Sequence, residues 1–102
     1  MNIAVDMETR VAFRDWLREQ LRERQFYNRR GDHYLIREFH RYCQEAGHPI
    51  DEASLGRYIR DENPVIPTPE RCRALGAVLK IPPFEVMKAA GLVHDSDLTV
   101  VG

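Results

Sequence analysis

The stretch GHPIDEASLGRYI, residues 47–59, decides the fold. Asp51 is a strong N-cap, because its carboxylate can accept from amide N–H groups that a first helical turn leaves unpaired. It predicts a helix from Asp51 to about Asp61. Leu55 and Ile59 stand four residues apart, so both point to one side and can bury. Ala53, Arg57 and Arg60 fall on the opposite side, flanked by Ser54 and Gly56. A helix that turns small residues and arginine outward can lie close against another surface. The groove of duplex DNA is one such surface.

Upstream, Leu35, Ile36, Phe39, Tyr42, Cys43 and Ala46 recur at helical spacing. They predict a helix that starts after Asp32 and ends at Gly47, a natural C-terminal cap. QFYNRRGD, residues 25–32, breaks the pattern with Asn28 and Gly31 as turn residues. Before it, Phe13, Trp16, Leu17 and Leu21 form the apolar face of a first helix from about Thr9 to Arg24. Asp15 with Arg18 and Glu19 with Arg22 are expected as i,i+3 pairs on its wet face.

Downstream, Asn63-Pro64 stops the helix that begins at Asp51, since proline disfavours helix at the residue before it. Thr68 as N-cap and Pro69 at the first position open a fourth helix with Cys72, Leu75, Val78 and Leu79 inward. Ile81-Pro82-Pro83 closes it and opens a short fifth helix carrying Phe84, Val86, Met87 and Ala90, capped by Gly91. The expected architecture is an all-α, five-helix domain over residues 1–92 with a tail at 93–102. Alternation at Leu98 and Val100 fits a strand that pairs with a partner or a frayed end, and fraying is the simpler reading.

Composition narrows the class. The 102 residues are 43% hydrophobic and 30% charged, ordinary for one small globular domain. No apolar run approaches the ~20 residues needed to span a bilayer. MNIAVDMETR has neither a basic n-region nor a long apolar stretch, so no secretory signal is expected. Two cysteines, Cys43 and Cys72, are too few for a disulfide framework, and a reducing, cytoplasmic setting is expected. The net charge of −1 argues mildly against a nucleic-acid partner, but charge is segregated. Residues 10–41 hold nine Arg against five acids, and residues 42–70 hold two Arg against six. That pattern fits either a basic stripe or an Arg-rich solvated helix.

Four segments resemble the lambda-repressor-type (Xre-family) helix-turn-helix regulators of phages and actinobacteria. FRDWLREQLRER, residues 13–24, looks like their first helix. YCQEAG, residues 42–47, is similar to the LARRAG-like end of the second helix. IDEASLGRYI, residues 50–59, is similar to the VSxxTISRWL recognition helix. TPERCRALGAVLKIPPFEVMKAAGL, residues 68–92, resembles PESCRRLAEALGVPPEEVLRLAGL and is the most specific match. The turn GHPID is two residues longer than the family's GVS, and residues 25–41 exceed the usual link between first and second helices. The Gln-rich start of the second helix, which clamps phosphate in the family, has no counterpart here. The resemblance implies a duplex-DNA-binding transcriptional regulator, most simply a repressor of phage or mobile-element type, acting as a homodimer on inverted half-sites.

Candidate DNA contacts follow from side-chain chemistry. Arg57 leads, because a guanidinium fork grips a guanine edge or a phosphate bidentately. Its plain alternative is an ion pair with Asp61 at i+4. Ser54 can donate to phosphate or a base edge, or is merely small, and Ala53 belongs to the same outward face. Glu52 reads cytosine or is a first-turn acid favoured by the helix dipole, and the dipole reading is the better. Gly56 costs about 1 kcal/mol of helix stability relative to Ala, tolerable for close approach of a DNA backbone or of the second helix. Arg60 and Asn63 fall beyond the helix end, where phosphates would lie. Arg29 and Arg30 stand near the place of the family's phosphate clamp.

Rival chemistries are weaker. His40, Cys43, His48 and Cys72 lack the tight paired spacing of a zinc site, and both cysteines already have a packing role. No phosphate loop, carboxylate pair or triad signature is present, so no enzyme, cofactor, metal or small-molecule ligand is expected. The main alternative is a protein-interaction module on the same scaffold, such as an antitoxin or a phage-encoded inhibitor that uses the acidic middle of the chain.

Overall fold

Five helices and one two-stranded sheet make up the computed structural model, which describes residues 6–93. α1 (Met7–Glu23) starts two residues before the expected Thr9, because Asp6 accepts the Thr9 amide at 2.8 Å and caps it. The chain then forms strands β1 (Tyr27–Asn28) and β2 (His33–Tyr34), paired antiparallel with Tyr27 opposite Tyr34. The all-α expectation is therefore corrected: residues 25–35 are a hairpin and not a plain loop. α2 (Ile36–Glu45) begins at the hairpin's exit, later than expected after Asp32. The Leu35 amide bonds the Phe26 carbonyl at 2.9 Å and occupies the residue as part of the hairpin.

α3 (Glu52–Ile59) is capped by Asp51 as its composition dictates, with the Ser54 amide 3.0 Å from Oδ2. It ends at Ile59 rather than Asp61, since Arg60 is already extended. α4 (Pro69–Leu79) starts on the Thr68 cap and stops at Lys80, which adopts a left-handed conformation. α5 (Pro83–Ala89) follows, with Gly91 at φ +74° just past its end. The expectations for the tail at 94–102 lie outside the described residues.

Every helix contributes to one core. Phe13, Leu17 and Leu21 of α1 meet Phe39 and Cys43 of α2, Leu55, Tyr58 and Ile59 of α3, and Cys72, Leu75 and Leu79 of α4. Ile50 in the turn and Val86 of α5 complete it. α4 and α5 pack closely because residue 76 is glycine: a Cβ there would lie 2.7 Å from the Ile81 carbonyl oxygen. Tyr42 is not a core residue; it is 40% exposed and lies along Phe26, ring centroids 5.6 Å apart. No helix among the described residues is long and apolar enough to cross a membrane.

Candidate nucleic-acid interface

α3 buries Ser54, Leu55, Tyr58 and Ile59 and exposes Glu52, Ala53 and Arg57, with Gly56 half-buried between them. Ser54 thus leaves the expected outward set: it is 7% exposed, and its Oγ accepts from Arg57 Nη2 at 3.2 Å. That bond lays the Arg57 stem along the helix and replaces the ion pair with Asp61. A Cβ at Gly56 would meet nothing within 4 Å. Packing against α2 is therefore not what this glycine serves.

The N-terminus of α3 is fastened to α4 by a polar network. Asp51 Oδ1 pairs with Arg71 Nη1 at 3.1 Å, and the same nitrogen lies 3.5 Å from the Tyr58 hydroxyl. Hydrogen bonds from the Ser54 hydroxyl and amide, together with the Arg71 charge, hold the Asp51 carboxyl below the usual carboxylate range. Burial pushes the Tyr58 phenol up. Arg57 shares a shallow hollow on this flank with Thr68, Glu70 and Arg71.

The C-terminus of α3 is fastened to α1. Arg18 donates to the Ile59 carbonyl and pairs with Asp61 at 2.8 Å, while Arg14 Nη1 donates to the Asp61 carbonyl at 3.0 Å. Arg24 similarly donates to the Leu79 carbonyl at the end of α4, at 2.7 Å. Three of the arginines in the basic segment therefore satisfy the ends of other helices. Asp15 pairs with Arg14 and not with Arg18. Beyond α3, Arg60 Nε donates to the carbonyl of Asn63, which sits exposed at φ +47°.

Arg29 and Arg30 lie at the hairpin tip, both exposed. The hairpin and α3 border one hollow, lined by Tyr27, His33 and Tyr34 on one side and Gly56 and Arg60 on the other. Glu52, Ala53, Arg57, Arg60 and Asn63 therefore belong to one element and its exit, with Arg29 and Arg30 on its flank. The tyrosines facing α1 were missed by sequence reasoning. Two aromatics bracketing an Asn-x-x-Gly turn were the signal that could have found the hairpin.

Among the described residues no group of three or more His, Cys, Asp or Glu could hold a metal ion. His40 Nδ1 donates to the Ile50 carbonyl at 2.7 Å and anchors the turn before α3. Burial pushes the Cys43 and Cys72 thiols up to about 11, and both are free. No family model matches the chain, and neither a curated protein nor a solved structure gives a significant match.

Proposed function

We propose that this domain binds duplex DNA and regulates transcription by occupancy, with α2, the turn at residues 46–51 and α3 acting as a helix-turn-helix. The observation that carries the reading is the outer face of α3. Ala53 and Gly56 keep it low, Arg57 carries charge on it and Arg60 at the helix exit, and neither guanidinium is ion-paired among the described residues. A low, cationic helix face suits entry into the major groove, where a guanidinium reads guanine or holds phosphate. Arg57 is the base-reading group in this scheme, Arg60 and Asn63 hold backbone, and Glu52 complements the helix dipole.

Both ends of α3 are tied to other helices through Arg71 and Arg18, so the face is presented without an ordering cost at binding. One such helix covers few base pairs, and the domain's weak net charge gives little non-specific attraction. Two copies on inverted half-sites about 34 Å apart supply the remainder. In this reading the two copies meet through the end of α5 and the residues after it, where Leu92 is 36% exposed.

Selection of bound sequences from a random duplex pool tests the reading. Enrichment of an inverted repeat is the expected result, and Arg57→Ala should then weaken binding by ~1–3 kcal/mol and relax one position. A pool that shows no enrichment and no retardation sinks the DNA reading and favours the protein-interaction alternative.

A further inference from the structure

The hairpin has no counterpart in the core's construction: apart from Phe26 and Tyr34, it contributes nothing to the apolar cluster. Yet it is held firmly. Tyr27 and Tyr34 face each other across the strands with ring centroids 4.8 Å apart. The Arg22 guanidinium stands over both rings, 4.8 Å from Tyr27 and 5.8 Å from Tyr34, and Arg18 lies 5.7 Å from Tyr34. At the tip, Asn28 Oδ1 accepts the amides of Arg30 at 2.9 Å and Gly31 at 3.2 Å, which shapes the turn in advance. The Tyr27 hydroxyl bonds Asp32.

Charge along this side is uneven. Asp61 is occupied by Arg18, and Asp32 by Tyr27. Arg22, Arg29, Arg30 and Arg60 form no ion pair with a carboxylate among the described residues. Arg22 and Arg29 line one hollow with Gln25 and Tyr27, and Arg22 and Tyr27 also line the hollow that reaches Gly56 and Arg60. The Tyr27 hydroxyl leaves the Asp32 charge in place, and Glu19 lies near Arg22. Arginines still outnumber acids along the two hollows, so a net cationic path runs from α3 around the base of the hairpin toward its tip.

We propose that the β1–β2 hairpin is a second DNA-contacting element, a wing that grips the sugar–phosphate backbone beside the groove occupied by α3. The proposal rests on the DNA reading and deepens it by separating two kinds of contact. α3 supplies base preference, while Arg22, Arg29 and Arg30 neutralise phosphates and supply affinity without sequence information. Tyrosine stacking holds the Arg22 side chain, and the Asn28 turn fixes the backbone that carries Arg29 and Arg30, so less freedom is lost when the wing closes on phosphates.

The test measures binding of the intact chain and of an Arg29→Ala/Arg30→Ala double variant to the selected duplex and to a random duplex, over a range of salt concentrations. The expected result is a log–log salt dependence shallower by about 1–2 for the variant. Loss of affinity should be equal on both duplexes, with an unchanged selected consensus. An Arg29→Lys/Arg30→Lys variant should restore the slope. Both positions are exposed, and far-UV circular dichroism establishes that the variants fold. Unchanged slope and affinity in the double alanine variant, while the intact chain binds, overturns the wing and leaves the reading of α3 standing. A shifted consensus would also overturn it, since it would mean that the hairpin reads bases. Failure of the intact chain to bind any duplex removes both.

Discussion

Arg18 of α1 donates from Nε to the carbonyl of Ile59, the last residue of α3, at 2.9 Å across forty-one residues of chain. A helix C-terminus leaves its last carbonyls without intrahelical partners, and a cation is the favoured neighbour there. One guanidinium thus caps α3, pairs with Asp61 and fixes the candidate recognition helix against α1.

Arg18→Ala should lower stability by ~1–3 kcal/mol, because a half-buried carbonyl loses its donor. Arg18→Lys should recover only part of it, since an ammonium cannot reach the carbonyl and the carboxylate with one planar fork. Urea unfolding midpoints decide; an unchanged midpoint for the alanine variant would show the contact to be idle.

Two glycines in helices should respond oppositely to alanine. Gly56→Ala fills open space and should raise stability by ~0.5–1 kcal/mol through helix propensity. Gly76→Ala should be destabilising despite the same gain, as its methyl would meet the Ile81 carbonyl oxygen at 2.7 Å and the Pro83 backbone at 3.3 Å. Thermal unfolding of both variants checks the contrast. Under the DNA reading the more stable Gly56 variant also binds duplex less tightly.

Acid should act through the caps. Hydrogen bonds from Ser54 hold the Asp51 carboxyl down, and the hydrogen bond from Arg18 does the same for Asp61. A depressed folded value contributes stability that is full above the unfolded value of ~3.9 and lost as pH falls through the folded one. Stability should be level near neutrality and fall below about pH 4. Asp51→Asn keeps a capping oxygen but cannot titrate, so its decline should be shallower. An equally steep fall in that variant would remove Asp51 from the account.

Both thiols should resist labelling in the folded chain. With values near 11 from burial, Cys43 and Cys72 hold almost no thiolate at pH 8, and neither is exposed. An aromatic disulfide reagent should release no colour until denaturant is added, and then two equivalents. Rapid native labelling of either cysteine would mean that α2 or α4 opens locally.

Local signals located most of the helices. Asp51 and Thr68 mark the starts of α3 and α4 because capping is chemistry between residues three apart. Leu55, Ile59, Cys72, Leu75 and Leu79 fell on inward faces because helical period alone places them together. Tyr42 and Ser54 were misplaced, as each lies near the edge of its helix's apolar arc. Which side of that edge is covered depends on neighbours distant in sequence: Phe26 beside Tyr42, and the start of α4, which shares a hollow with Ser54.

By itself the sequence determined five helical segments, the Asp51 and Thr68 caps and an α3 face of small residues and arginine, since all of these depend on contacts within a turn or two of chain. Tertiary structure alone decided what the arginines do. Arg14, Arg18 and Arg24 are drawn inward because α3 and α4 end beside α1 with carbonyls that need donors. Arg22 is held on Tyr27 and Tyr34 because a two-residue ladder brings those rings together. Arg29, Arg30, Arg57 and Arg60 stay exposed, and among the described residues none of them forms an ion pair with a carboxylate. A guanidinium has the same charge in every one of these places, so only the positions of its partners can divide arginines that tie the fold together from those left to solvent.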